Sequence, residues 1–562
     1  MSYRGNLDEL GRALFRRRLG VVVGGSLSEG LTVKLEAGDV ERGVPPGAVI
    51  EELAVGKYVV VEGASRRRFF SIVTDIALGH ANPDLLNAPP DADDDFARHI
   101  YATELAFGRL EVAPMLVLED GADAPKPVKT VPAHFSPVYE ATPEDVARIF
   151  GGEDETHWHI GEPLDMENIK VNLDLKRFVE RSSGVFGKSG TGKSFITRTI
   201  LAGIVRANVA VNLIFDMHND YGWAVRDEHG REYKGLRQLF GDGRVHVITL
   251  DPQTSRARGG TVDGVLQIGL DQIEPEDVEM LAGILGLSEV QVGALFYLRR
   301  KLGRDWVAQL LDEHDTAAVD ALEDEEKIQS GTLRAIQRKF ELFRRFDFLR
   351  ETPPPQDMVE EIFNLLNRGK HVVLEFGVYG NTLAAYVLVA NYLTRRIHAR
   401  YVEEKNKAAG KAAQEPRPLV ITIEEAHKFL DPEIAQHTIF GTIARELRKY
   451  NVTLLIVDQR PSGIDEEVMS QIGTRVTCLL DNEADIRAVF SGVSGASQLR
   501  QVLARLDTKQ QALILGHAVP MPVVVKTREY GPELYKALGW ADEATRKEQR
   551  QKDKAALWGE EN

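Results

Sequence analysis

Apolar residues fall along this chain in two rhythms, and the change comes near residue 165. Before it, short β-branched runs recur: "GVVVGG" (Gly20 to Gly25), "LTVKLEAGD" (Leu31 to Asp39), "KYVVVEGASRRRFFSIVTDI" (Lys57 to Ile76) and "GRLEVAPMLVLEDG". Gly, Pro and Asp turns separate them, which predicts a small β-barrel over residues 1–145. After the change, near-continuous Val/Ile/Leu runs alternate with segments of helical spacing. That is the pattern of strands buried on both faces of a mainly parallel α/β sheet. The strand candidates are "VNLIFDMH" (211–218), "VHVITL" (245–250), "HVVLEF" (371–376), "LVITIEEA" (419–426), "VTLLIVDQ" (452–459), "RVTCLL" (475–480) and "QALILG" (511–516). They assign an α/β core to residues 160–270 and 353–535. Residues 271–352 interrupt it: Leu333, Ile336, Phe340 and Phe343 recur at three- and four-residue steps, the spacing of an inserted helical bundle. "IEPEDVEMLAGILGL" reads as a helix with an acidic, proline-containing first turn. Residues 536–562 form a charged tail.

Composition narrows the class. A length of 562 residues fits two to four domains, and one cysteine, Cys478, leaves no intramolecular disulfide. No apolar run approaches the ~18 residues of a membrane span. The first twenty residues, "MSYRGNLDELGRALFRRRLG", lack the apolar core of a signal peptide. The expectation is a cytoplasmic protein with no membrane partner. A net charge of -16 argues against a surface coated in positive charge for nucleic acid. It leaves room for a local basic channel, and Arg66–Arg68, "RRRLG" near residue 16 and "LRRKLGR" (298–304) are basic spots that could line one.

The chemistry concentrates in a few places. Gly187, Lys188, Ser189, Gly190, Thr191, Gly192, Lys193 and Ser194 spell G-x-x-x-x-G-K-S, with "GVF" as a strand before and a helical segment from Phe195 after. Glycines let backbone N–H groups curl around phosphates, and the following helix start adds positive potential. Lys193 is expected to reach the β- and γ-phosphates of ATP, and Ser194 to ligate Mg²⁺. A strand ending in carboxylates must complete such a site. Asp216, Glu375 and the pair Glu424–Glu425 all qualify, and the pair at the end of "LVITIEEAHKFL" fits best. Glu424 is assigned to the Mg²⁺ shell and Glu425 to activation of the attacking water. Asp216 points toward the crevice at a strand's C-terminal end. Asp220, Tyr221 and Trp223 follow it in a loop that could face a partner or DNA. His427 reads equally as a contact to phosphate or a relay to DNA and as a packing or capping residue. Gln459 ends its strand in a polar amide able to sense the γ-phosphate. In "TIFGTIARELRKYNV", Phe440, Ile443 and Leu447 form an apolar stripe, and Arg445 and Arg448 share another face. Either arginine is a candidate to reach a neighbouring subunit's γ-phosphate.

"FGKSGTGKS", "IFDMHNDY", "ITIEEAHKFL" and "ARELRKYNVTLLIVDQRPSGID" occur in an order that resembles the HerA/FtsK branch of P-loop motors, and within it the HerA type. The resemblance covers nearly the whole chain. It implies an N-terminal HAS-type barrel and a RecA-like core carrying an inserted helical bundle. It further implies a homohexameric ring that hydrolyses ATP and threads double-stranded DNA. A nuclease such as NurA, docked on the barrel, is the implied partner in processing DNA ends. Some members instead serve antiphage effectors, nucleases or sirtuin-like proteins. Glu424 departs from the Asp usual in the family, and "HNDY" from its His-Gly-Glu-like loop.

Overall fold

In a computed structural model the described residues are 16–36, 51, 53–64, 67–81, 89–91, 93–101, 106–119, 125–164, 166, 168–227, 229–241, 243–312, 328–409, 414–436, 438–446, 449–493, 495–507 and 509–540. The acidic stretch 313–327 and the tail from 541 lie outside them, as do Arg66, Leu447 and Arg448. The chain forms two units. One comprises Met1–Asp174, Phe186–Lys193 and Gly473–Arg528; the other comprises Leu175–Val185, Ser194–Ile472 and Glu529–Asn562.

The first unit holds the β-branched runs. β1 (Arg18–Ser26), β2 (Gly30–Leu35), β3 (Tyr58–Glu62), β4 (Arg68–His80), β5 (Ala106–Leu118), β6 (Lys126–Pro127) and β7 (Pro137–Glu140) form a sheet in the order β2-β1-β7-β3-β4-β5-β6. A further β2–β5 pairing closes six of these strands into a barrel. Closure removes the exposed edges that an open sheet presents. Alternate residues face inward: Leu19, Val22, Leu31, Val33, Val59, Val61, Phe69, Val73, Leu110, Val112 and Val138 share one buried core. Bulges at Val22/Gly24 and Val73/Asp75 supply the bending that closure requires. The same unit contains β8 (His157–Pro163), β9 (Val171–Asp174), β21 (Thr474–Thr477), β22 (Gln511–Gly516) and β23 (Val523–Thr527), in the order β21-β22-β23-β8-β9. These pairings are antiparallel. "RVTCLL" and "QALILG" therefore leave the parallel pattern that their apolar runs suggested. A direct β22–β23 return, with no crossover helix, sets that direction. The helix Ala496–Ala504 is tied to the barrel by Gln498, whose amide donates to the Ser28 carbonyl at 3.1 Å, and by an Arg505–Asp75 pair at 2.9 Å.

The second unit carries the parallel sheet. β10 (Ser183–Phe186), β11 (Val211–Asp216), β14 (Val245–Thr249), β15 (Gly264–Val265), β18 (His371–Glu375), β19 (Leu419–Glu424) and β20 (Val452–Asp458) run in the order β15-β14-β18-β11-β19-β20-β10. Short pairs fill the numbering: β12 (Val225–Arg226) with β13 (Glu232–Tyr233), and β16 (Ile268–Gly269) with β17 (Leu349–Arg350). Every residue of β11, β18, β19 and β20 is buried, as their unbroken apolar runs predict. Helices Lys193–Ala207, Met358–Asn367 and Leu383–Ala409 flank the strands.

Helices Glu289–Leu302, Trp306–Leu311 and Ser330–Phe340 build the interrupting segment. Leu333, Ile336, Phe340 and Phe343 are all buried, and the Trp306 ring meets Phe340 edge-on with centroids 5.6 Å apart. The expected single helix over "IEPEDVEMLAGILGL" is instead two short ones, Pro275–Glu279 and Ala282–Leu285, ended by Gly286 in the left-handed conformation. Among the described residues no helix is long and apolar enough to cross a membrane.

Candidate functional site

The phosphate-loop motif leaves β10 and enters the helix that starts at Lys193. Gly187, Gly190 and Gly192 all have positive φ, a backbone that L side chains rarely adopt. Gly187 is constrained twice, because a Cβ there would lie 2.7 Å from the Cys478 Cβ. The loop is held from behind. Phe186 accepts a backbone hydrogen bond from Cys478, and Lys188 donates one to Leu479. The Lys188 carbonyl then collects the Thr191 hydroxyl at 2.8 Å and the Lys193 ammonium at 2.9 Å. Lys193 is thus curled over its own loop. Lys188 points elsewhere, to Asp481 at 2.9 Å. Burial pushes the Cys478 thiol up to about 11, so it is unreactive packing.

In the second unit, four neighbouring strands end in buried acids: Glu375 on β18, Asp216 on β11, Glu424 on β19 and Asp458 on β20. Parallel register brings them level, with Asp216 opposite Glu375 and Glu424 opposite Val457. Ligand crevices of parallel sheets form at these ends. Each acid has a distinct job. Asp216 accepts the backbone N–H of Asp220 (2.6 Å), Tyr221 (2.8 Å) and Gly222 (3.2 Å), folding the following loop back onto the strand. Burial, and next the Glu375 charge, still push its carboxyl up to about 7. The folded loop delivers the Tyr221 hydroxyl to Glu424 Oε1 at 2.8 Å. A second buried tyrosine, Tyr386, bonds both the N–H and the carbonyl of Glu424 at 3.0 Å each. Glu424 is 7% exposed, burial pushes its carboxyl up to about 8, and its Oε2 has no partner among the described residues. Glu375 accepts from the Ser255 hydroxyl at 2.8 Å.

Glu425 turns out of β19 in the left-handed region, with φ 50° and ψ 44°. A non-glycine residue there is strained, and such strain gathers at functional sites. The turn frees its carboxylate from the strand. Gln459 Nε2 donates to Oε1 at 3.2 Å, and His427 Nε2 stands 3.7 Å from Oε2.

Residues 158–397 match the family described as the central domain of the helicase HerA. Over those residues the chain is similar to the helicase HerA. It is 26% identical over 412 residues to the DNA double-strand break repair helicase HerA of Pyrococcus furiosus, covering 69% of this chain and 72% of that one. The HerA of Saccharolobus solfataricus is 25% identical over 397 residues, covering 70% and 72%. Among solved structures, the bacterial conjugative coupling protein TrwB aligns over 70% of this chain and 93% of its own, at 12% identity and a TM-score of 0.45.

The structure brings Glu424, Glu425, Gln459, Asp216 and His427 together at adjoining strand ends. Arg445 is engaged locally, its guanidinium donating to the carbonyls of Ala435 (3.1 Å) and Gln436 (3.3 Å). Phe195 packs its ring on Tyr233, centroids 4.6 Å apart, with Tyr530 at 6.2 Å. The basic spots sit against acids: Arg16 on Asp145, Arg18 on Glu36, Arg67 on Glu119 and Arg299 on Glu274. Tyr221 is buried, where the sequence suggested a residue facing a partner. Tyr386, Asp458 and Arg198 went unforeseen. Tyr386 lies in the first turn of the helix Leu383–Ala409, and Asp458 is hidden one place before the amide of Gln459. Arg198 is 2% exposed and stacks over Phe195 and Tyr530, a contact across more than three hundred residues of chain.

Proposed function

We propose that the protein is an ATP-driven double-stranded DNA translocase or helicase that acts in DNA end processing with a partner nuclease. The observation that carries this reading is Glu425, turned off a strand end beside Glu424 and bonded by Gln459 from the next strand. That is the arrangement a water-attacking ATPase needs. Lys193 and the glycine loop hold the phosphates. Ser194 and Glu424 hold Mg²⁺, and the orphaned Oε2 of Glu424 suits a metal-bound water. When bound, that ion would supply positive charge for the phosphoryl oxygens. Glu425 takes a proton from the attacking water and Gln459 senses the γ-phosphate. Phe195, first residue after the motif, borders the nucleotide.

Arg445 or Arg448 serves as the finger of a homohexamer, reaching a neighbour's nucleotide. For Arg445 that means releasing the carbonyls of Ala435 and Gln436. Six copies surround duplex DNA, and the barrel over residues 1–145 is the docking face for a NurA-like nuclease or another effector. The remaining divisions are a core over 160–270 and 353–535, a helical insertion over 271–352 and a charged tail over 536–562. The work is cytoplasmic. Relatives named for double-strand break repair favour repair over an antiphage role.

The deciding experiment measures ATP turnover with and without duplex DNA on protein of known assembly mass. DNA-stimulated turnover by a hexamer is expected. A monomer indifferent to DNA would sink the motor reading. Lys193→Ala and Glu425→Gln are both expected to abolish turnover, with Glu425→Gln still retaining ATP.

A further inference from the structure

We propose that His427, oriented by Asp458, relays the proton that Glu425 takes from water, which makes it a positioning residue acting through the base rather than on the nucleotide. The proposal rests on Glu425 being that base. Asp458 is fully buried at the end of β20, and its carboxylate is committed in three directions. Oδ1 accepts the Arg460 N–H at 2.6 Å, Oδ2 accepts the His427 N–H at 2.8 Å, and Oδ2 also faces His427 Nδ1 at 3.0 Å. Ring and backbone of one histidine are thus clamped by a single acid. The clamp places the ring proton on Nδ1, where the carboxylate can accept it, and leaves Nε2 as a bare lone pair. Nε2 points at Glu425 Oε2, 3.7 Å away. Gly463 makes room for the ring's approach, since a Cβ there would lie 3.2 Å from the His427 Cβ.

Glu425 Oε2 and the Nε2 lone pair present two acceptors to each other, so nothing holds them closer. The contact becomes a hydrogen bond once a proton arrives. Hydrolysis supplies it. As water oxygen bonds to the γ-phosphorus, the bond to the ADP bridging oxygen breaks and one water proton passes to Glu425. The carboxylic acid then donates that proton to Nε2. Glu425 returns to carboxylate, and the imidazolium is stabilised by Asp458 until Nε2 releases the proton to solvent. Gln459 holds the other oxygen, Oε1, and leaves Oε2 for the exchange. Contacts of this kind are commonly long without substrate and tighten with it.

The test follows ATP turnover by the full chain in Glu425→Gln, His427→Ala, His427→Asn and Asp458→Asn, with ATP binding as the check on folding. His427→Ala is expected to slow turnover on the order of 10²-fold, with ATP affinity unchanged. Free imidazole is expected to restore part of the rate to that variant and none to Glu425→Gln. His427→Asn keeps a donor for Asp458 but no basic nitrogen, and should be as slow as His427→Ala. Asp458→Asn should lower kcat while leaving KM in place. Wild-type turnover in His427→Asn, or a loss in His427→Ala that imidazole leaves untouched, overturns the relay. Turnover that persists in Glu425→Gln overturns instead the assignment of the base.

Discussion

Asp216 carries two opposed demands in one side chain. Three backbone N–H groups favour its carboxylate form, while burial and the Glu375 charge favour the acid, and the second pair prevails with a value of about 7. Each unit of pKa is worth about 1.4 kcal/mol. From an ordinary 3.8, full ionisation costs the fold on the order of 4 kcal/mol. The sign follows from the raised value: the acid is at its least costly below pH ~4, and stability is lost as pH rises through about 7. Asp216→Asn cannot ionise, so its thermal midpoint should vary less with pH than the wild type's between those limits. Parallel curves in a melting series would show that another group sets the slope. The sequence displayed Asp216 clearly, because an acid closing an apolar run is conspicuous. Its load on the loop of residues 220–222 was hidden, since hydrogen bonds to backbone leave no mark on residue type.

Adjacent strands act as a ruler. β19 and β20 are paired from Leu419↔Val452 to Glu424↔Val457, so Glu425 and His427 come off one strand exactly where Asp458 and Gln459 come off the other. A slip of one residue would turn every side chain to the opposite face. The apolar runs made these strands legible. β8, by contrast, reads "HWHIGEP", with His, Gly and Pro breaking any apolar run, and its place depends on a distant partner, β23. The helix Ile439–Glu446 offers a test at this scale. A Cβ on Gly441 would sit 1.8 Å from the Ala435 carbonyl oxygen, the same oxygen that Arg445 engages. Gly441→Ala must shift either backbone, and a loss of about 1–3 kcal/mol is expected from such overpacking. Unfolding monitored by circular dichroism checks it, and an unchanged midpoint would mean that the helix moves freely.

For the molecule as a whole, charge sets the terms. If a chain at -16 grips duplex DNA as proposed, it must do so through a few cations in a confined place. Duplex affinity should therefore fall linearly with salt on logarithmic axes. A protein making about six to ten phosphate contacts loses roughly 10³–10⁵ in affinity between about 50 and 200 mM salt. A titration insensitive to salt would remove the phosphate-contact picture. The barrel and the alternating core were readable from periodicity, but the partners of the basic residues were not. Arg16, Arg18, Arg67 and Arg299 looked equally available in sequence, and each meets an acid brought to it by folding.

Cys478 gives this protein a practical property. It is the chain's only cysteine, and the thiol is buried behind the phosphate loop. A cysteine installed on the exposed barrel surface, for instance Leu78→Cys at a residue 84% exposed, becomes the one site that a maleimide dye can reach. Each chain then carries a single fluorophore, with the native thiol left in place. Counting photobleaching steps then tests the proposed hexamer, and energy transfer to labelled DNA tests the proposed translocation.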